Sequence, residues 1–512
     1  MHSKSLILSL AGCATAFVLP HSATQCTINS FDIPLTSFNA TISSVAYQPA
    51  NARNVSGAFN QKEFCEVNAT IGYGTADTLD FTLWLPDWVN YEGRFMAVGN
   101  GGMAGTIDYV NMLKQFDSGL GVAVAGGNAG HLASQNNHGE GEPGVYLPYL
   151  HDPAQVEAWI HDAVSLFTPA AKALTAAYYR YQPTFSYYDG CSTGGAQGFA
   201  LAQYHPQLFD GIVAGSPGNW YSHLALSFLW NAQHTKTSAS NLTQHELNGI
   251  TDAVLDACDI LDGVQDRLIE NPLVCNFDLA SLACGNGTSN ATFCFTTTQL
   301  EAAKAIYAGP TRPGNGSQIY PGFSLGSEKE WAMQEGELAE AFSIPLLQNL
   351  VYNDLNYSAD SFDWESDVVD VDVKAGTHID EISPDLSAFR NCGSKLLVTQ
   401  GWADPFNAAI WPIQHLERVE HFFQGDVSDF FNLFMIPGGG HCGAAEHYPT
   451  VPATYHAMPE LVRWVERGRR PEAMLSTDPP DGSERTRKLC PWPQTARYVA
   501  GKSDNWTNYV CE

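Results

Sequence analysis

The sequence predicts an α/β fold with a mostly parallel sheet, helices on both faces and one large insertion. Three observations carry that prediction. Short apolar runs bounded by glycine or proline alternate with helix-spaced segments over residues 81–214. The alternation stops after Pro217, where a loop-rich, aromatic and acidic stretch runs to about Arg390. Two clean strands then restore the first pattern. Such alternation favours parallel pairing, because a parallel connection needs a crossover and the crossover helix covers the sheet.

Taken in order, residues 81–85, 94–98 and 122–125 read as strands. Residues 156–179 carry spaced apolar positions among many alanines and read as one helix. A strand at 185–188, a helix at 196–204 that stops before Pro206, and a strand at 211–214 follow. Residues 395–399 and 431–436 supply the last two strands. The chain thus divides into one α/β domain, 25–219 and 391–512, with 220–390 inserted. The acidic run 354–372 reads as a solvated face. No internal repeat is evident.

Composition narrows the partners. At 512 residues, 44% hydrophobic and 15% charged, the chain is a folded globular one with a large core. Its net charge is −29 and its densest basic cluster is only Arg467–Arg470, so no footprint for nucleic acid exists. Lys4 and the short apolar run 6–19 read as a secretory signal over residues 1–20, with cleavage between 16 and 25. No other run is long enough to span a membrane. Of 12 cysteines, Cys13 leaves with the signal and an odd number remains. Nine N-x-S/T sequons, at Asn39, Asn54, Asn68, Asn241, Asn286, Asn290, Asn315, Asn356 and Asn505, agree with an exported, oxidised and glycosylated chain.

The chemistry starts at "YYDGCSTGGAQG", residues 187–198. Gly190-Cys-Ser-Thr-Gly194 between a strand and a helix is a nucleophile elbow: the glycines clear space and Ser192 is pushed into the open. A nucleophilic serine needs a base, and the base an orienting carboxylate. In α/β-hydrolases these follow in the order Ser, Asp or Glu, His. Asp404, in "QGWADPFN", and His441, in "PGGGHCG", each lie just past a strand, where a parallel sheet presents its ligand-facing loops. Cys191 precedes Ser192 and Cys442 follows His441, so a Cys191–Cys442 bridge would tie the nucleophile turn to the base loop.

Six motifs in order, "GNGGMAG", "GCSTGG", "CDILDGVQD", "DLSAF", "GWADP" and "GGGHCG", resemble the tannase and feruloyl esterase family over nearly the whole chain. The resemblance implies an α/β-hydrolase domain with a lid inserted between nucleophile and acid. It implies the triad Ser192, Asp404 and His441 and the pair Cys191–Cys442. One oxyanion donor should be the Thr193 N–H, and the other Gly101 or Gly102 in the glycine loop after an early strand.

"CDILDGVQDRLIENPLVC" sets Asp259, Asp262 and Asp266 around Gly263, and calcium suits such hard oxygen donors. The loop resembles the family's lid calcium site, whose ligands map to the Asp259, Asp262 and Asp266 side chains and the Val264 and Leu268 carbonyls. Arg267 stands where the family has glycine, with room for its side chain to point outward. Cys258–Cys275 would brace the loop; Cys284–Cys294, Cys490–Cys511 and Cys26–Cys65 complete the pairs. Cys392, before a strand, is left as a buried free thiol.

The reading that results is a secreted serine esterase acting on small phenolic esters of plant polysaccharides. It needs structural calcium but no organic cofactor, touches neither nucleic acid nor membrane, and works as monomer or homodimer. Hydroxycinnamate esters are favoured over gallate esters. Many fungal tannases of this type carry a dibasic processing site in the lid, and residues 220–390 contain no adjacent basic pair. A single uncut chain is therefore expected. A serine peptidase and a non-catalytic binding protein are the readings from other classes. Trp220, Tyr221, Trp230 and Phe342 are the insertion aromatics that stand as pocket candidates.

Overall fold

Nine strands form one mixed sheet in the computed structural model, which describes residues 22–285 and 294–512. The signal segment, Cys13, Asn286 and Asn290 lie outside the described residues. The strands are β1 (Ala40–Gln48), β2 (Phe64–Tyr73), β3 (Asp77–Pro86), β4 (Arg94–Val98), β5 (Val122–Gly127), β6 (Phe185–Cys191), β7 (Gly211–Gly215), β8 (Lys395–Gly401) and β9 (Phe431–Ile436). Their spatial order is β1-β2-β3-β5-β4-β6-β7-β8-β9. From β5 to β9 every pairing is parallel; β1, β2 and β3 add an antiparallel edge that joins β5.

The parallel strands are buried on both faces, which is why their sequences are mostly apolar. Alternate residues serve two cores. Phe95, Ala97, Leu396 and Val398 pack on one side, with α3 (Thr168–Tyr179), α4 (Thr193–Tyr204) and α8 (Ile410–Phe423). Met96, Val98 and Leu397 pack on the other, with α1 (Tyr109–Phe116) and α9 (Ala457–Arg467). Each of the larger of these side chains contributes about 1.5–3 kcal/mol by leaving water.

Adjacent strands β7 and β8 are joined by an excursion that adds no strand to the sheet. It includes α5 (Tyr221–Thr235), α6 (Gln244–Cys258) and α7 (Thr297–Ala308). Part of it packs around its own apolar cluster, with Leu247, Ile250, Ile306 and Trp331 at the centre. No described helix is long and apolar enough to cross a membrane.

Two expectations are corrected. The helix expected over 156–179 is two: α2 (Pro153–Trp159) and α3, joined by turns. Pro169 sets where the second begins. It lacks an N–H and clashes with the carbonyl four residues back, so it is tolerated only where a helix begins. Cys392 is free, as expected, but exposed rather than buried. It caps the short helix Ser387–Asn391, and Gly393 at φ 80° turns the chain before β8, which leaves the thiol outside the strand.

All five expected disulfides form, with Cα–Cα separations of 5.3 Å for Cys26–Cys65, 5.8 Å for Cys191–Cys442, 5.5 Å for Cys258–Cys275, 4.8 Å for Cys284–Cys294 and 5.6 Å for Cys490–Cys511. Of the described sequons, Asn39, Asn54, Asn241, Asn315, Asn356 and Asn505 are exposed. Asn68 is half-buried in β2, where its amide bonds Ser44 and Thr82. Native protein should react with one equivalent of a thiol reagent per chain, and Cys392→Ser should abolish the reaction. Labelling only after unfolding would contradict the exposed position.

Candidate active site

β6 and α4 meet at Ser192, which adopts φ 63° and ψ −123°, a conformation that few residues other than glycine tolerate. Its N–H donates to the Gly215 carbonyl at 2.9 Å, pinning the turn to the end of β7. The flanking glycines provide clearance. A Cβ on Gly190 would stand 2.3 Å from the Tyr188 hydroxyl, and one on Gly194 would stand 2.9 Å from the Asn100 carbonyl.

The glycine loop after β4 lies against α4. Asn100 donates its N–H to Gln197 Oε1 at 3.0 Å, and Gln197 Nε2 donates to Asn100 Oδ1 at 3.2 Å and to the Trp159 carbonyl at 2.9 Å. The Asn100 amide also donates to the carbonyls of Thr106 (2.6 Å) and Gly127 (2.7 Å). Both side chains are buried, so the helix that presents Ser192 also sets the loop's position. Sequence reasoning missed this pair. Its one signal is an amide in the otherwise small and apolar start of α4, Thr193-Gly-Gly-Ala-Gln-Gly-Phe-Ala-Leu-Ala202. The N–H groups of Thr193, Gly101 and Gly102 have no acceptor among the described residues, and all three residues line one cavity. The Gly102 carbonyl is occupied by Thr193 Oγ1 at 2.7 Å and Trp159 Nε1 at 3.3 Å.

Asp404 follows β8 and His441 follows β9, and the two meet: His441 Nδ1 lies 2.9 Å from Asp404 Oδ2 and 3.0 Å from Oδ1. Asp404 is 1% exposed. It also accepts from the Phe406 and Asn407 amides, at 2.8 and 3.0 Å, and from Gln400 Nε2 at 2.9 Å. Burial alone would raise its pKa. The charge and hydrogen bond of His441, with the two amides, outweigh burial and hold the carboxyl below its ordinary value. Phe406 stacks on the imidazole at 4.4 Å. The Cys442 N–H donates to Ser216 Oγ at 3.2 Å, so disulfide and hydrogen bond together bind the base loop to the turns after β6 and β7.

Ser192 and His441 face the same cavity of about 1320 Å³. The insertion lines one side of it with Tyr221, Leu224, Phe228 and Phe342. Trp220 and Trp230 do not line it; they stack on His223 at 4.1 Å and edge-on to Trp364 at 4.9 Å. The arrangement places a strained serine, a carboxylate-held imidazole and unpaired N–H donors at one opening, which is the equipment of acyl transfer.

Residues 65–512 match the family described as tannase and feruloyl esterase. The chain belongs to that family. It is 30% identical over 458 residues to a probable feruloyl esterase B-1 of Aspergillus flavus, an alignment covering 85% of this chain and 84% of that one. The crystal structure of feruloyl esterase B from Aspergillus oryzae superposes with a TM-score of 0.84 at 26% identity, over 96% of this chain and all of that one, 100%. A tannin acyl hydrolase from Aspergillus niger shares the fold, with a TM-score of 0.78 at 21% identity over 96% of each chain.

The acidic loop of this esterase is compensated in a way the sequence did not reveal. Arg487, 2% exposed, bonds Asp262 Oδ2 at 2.8 Å, Glu270 Oε2 at 3.0 Å and Asp266 Oδ2. Arg485 bonds Asp266 as well. Asp259 accepts the amides of Asp266, Arg267 and Leu268 at 3.1, 3.0 and 3.2 Å. Arg267 adopts φ 63° and turns outward to Asp252 and Asp256. The two guanidinium groups bind three buried carboxylates, those of Asp262, Asp266 and Glu270, the fourth, Asp259, is held by backbone amides, and Asp266 Oδ1 is buried with no partner among the described residues. That excess charge, the orphaned oxygen and the all-oxygen donor set fit a divalent hard cation.

Because the folded pKa of Asp404 lies below its unfolded value, its stability contribution is full above about pH 4 and is lost as pH falls through the folded value. Urea unfolding of wild type and Asp404→Asn, compared from about pH 7 down to about pH 3, should show the wild-type advantage shrinking at the acid end. A difference constant with pH would count against the ionised pair.

Proposed function

We propose that the protein is a secreted serine esterase that releases hydroxycinnamic acids from esters on plant polysaccharides. The observation that carries this is that His441, held from behind by the buried Asp404, lines one cavity with Ser192 and the unpaired N–H groups of Thr193, Gly101 and Gly102. Ser192 attacks the ester carbonyl while His441 Nε2 takes its proton. Asp404 holds Nδ1 and stabilises the imidazolium as it forms. The oxyanion goes to the Thr193 N–H and one glycine N–H, which need no reorganisation because no described group binds them. His441 then protonates the leaving alcohol, and water repeats the sequence on the acyl-enzyme to free the acid.

The relatives named feruloyl esterase B support the hydroxycinnamate class, as does the absence of an adjacent basic pair in residues 220–390. The apolar N-terminal run, five disulfides and exposed sequons support export. The experiment is hydrolysis of methyl ferulate, caffeate, p-coumarate and gallate side by side. Ferulate-type esters should be preferred, and Ser192→Ala should lower kcat by about 10⁴-fold or more. Preference for gallate would make the enzyme a tannase, and full activity in Ser192→Ala would remove the triad.

Calcium belongs to the same proposal. Asp259, Asp262 and Asp266, with the carbonyls of Val264 and Leu268, would hold it, and it would neutralise the loop's remaining negative charge. It takes no part in the ester chemistry, since none of these residues lines the cavity. Chelation should lower Tm, with recovery on adding Ca²⁺ but not Mg²⁺, and should leave KM unchanged. An unmoved Tm would mean that Arg485 and Arg487 alone compensate the loop.

A further inference from the structure

The turns between α2 and α3 create a second polar cluster. They carry His161 and Asp162 to the C-terminal end of α4, where His205 follows the helix. His205 Nε2 lies 3.2 Å from Asp162 Oδ1. His161, Asp162 and His205 can each place one ligand atom within 4.8 Å of the others, and all three are half-buried. Among the described residues no other trio of His, Cys, Asp or Glu converges in this way.

We propose that His161, Asp162 and His205 form a binding site for a zinc-class divalent ion. Two imidazoles and one carboxylate are donors of borderline softness, which suit Zn²⁺ and its neighbours rather than calcium or magnesium. The spacing agrees. Two ligands bonded at about 2.1 Å in a tetrahedron stand about 3.4 Å apart, close to the observed His205–Asp162 separation. The surroundings agree as well. A ligating histidine characteristically rests its second ring nitrogen on a carboxylate, and Glu381 Oε1 lies 3.2 Å from His161 Nδ1. That assignment leaves Nε2 for the ion. Ser165 Oγ donates to Asp162 Oδ1 at 3.0 Å and fixes the carboxylate. The fourth position is left to water.

The ion would be structural. None of the three residues lines the substrate cavity. They join the α2–α3 turn to the far end of the nucleophile helix, and Glu381 belongs to the returning end of the insertion. His378 of the insertion and Glu157 of α2 make a neighbouring contact at 2.8 Å. One bound ion would therefore brace the nucleophile helix against both the turn and the insertion.

The test is zinc titration of the untagged full chain by calorimetry, with visible absorption of Co²⁺ as a second probe of nitrogen ligation. One ion per chain is expected, with a rise in Tm. His205→Ala should weaken binding by at least about 100-fold, and Glu381→Gln by about 10–100-fold. Asp162→Asn keeps the side-chain volume and gives the same reading if His205→Ala fails to fold. Absence of stoichiometric zinc in wild type, or wild-type affinity in natively folded His205→Ala or Asp162→Asn, would overturn the site.

Discussion

The site depends on the parallel register of four neighbouring strands. Cys191 of β6 lies opposite Gly215 of β7, and Gly215 lies opposite Thr399 of β8. Gly401 of β8 lies opposite Ile436 of β9. In-register parallel strands deliver their following loops to a single edge, so the nucleophile, acid and base turns emerge side by side although residues 192, 404 and 441 are far apart in sequence. A slip of one residue in any pair would exchange the two faces of that strand, moving Leu397 or Val398 out of its core. The apolar packing on both faces is thus what holds the catalytic geometry, and the polar groups refine it.

That refinement relies on close backbone approach. The elbow of Ser192, the glycine loop and the start of α4 touch at distances no side chain would allow. Glycines at 190 and 194 therefore serve contact rather than flexibility. Gln197 and Asn100 turn this contact into a fixed relation by exchanging hydrogen bonds in a dry environment, where an unmet amide is costly. The strain at Ser192 persists because its N–H and carbonyl are both held, by Gly215 and by Ala196 and Gly218.

What was legible in the sequence follows the same physics. β9 could be read to its ends because a doubly buried strand is almost wholly apolar, Asn432 being its one polar residue. β1 could not, since its exposed edge mixes Ser, Thr and Ala, and no short run announces it. The candidate site was legible because chemistry and strand-end position coincide at Ser192, Asp404 and His441, which the fold brings to one edge of the sheet. The Asn100–Gln197 pair was not, because each residue alone is an ordinary amide and the partner lies 97 positions away. Arg487 was hidden for the same reason, 225 positions from Asp262. The break before α3 was written in Pro169, and the long run of alanines outweighed it in a reading by periodicity alone. Burial of Cys392 failed because position before a strand says nothing about which side of the preceding turn a side chain takes.

The long excursion between β7 and β8 explains why this fold carries so many braces. An insertion of this length joins two strands that must pair in register, and closing such a loop costs entropy that grows with its length. A separate apolar cluster around Trp331 meets part of that cost by making the insertion partly self-folding. The covalent links add to it, one within that cluster and one outside it. Cys258–Cys275 flanks the acidic loop, and Cys191–Cys442 closes 251 residues around the whole excursion. In the chain-entropy account, a cross-link that spans more chain removes more freedom from the unfolded state. The bridge beside the catalytic residues is therefore also the one with the greatest leverage on the fold, so stability and catalytic register rest on the same bond.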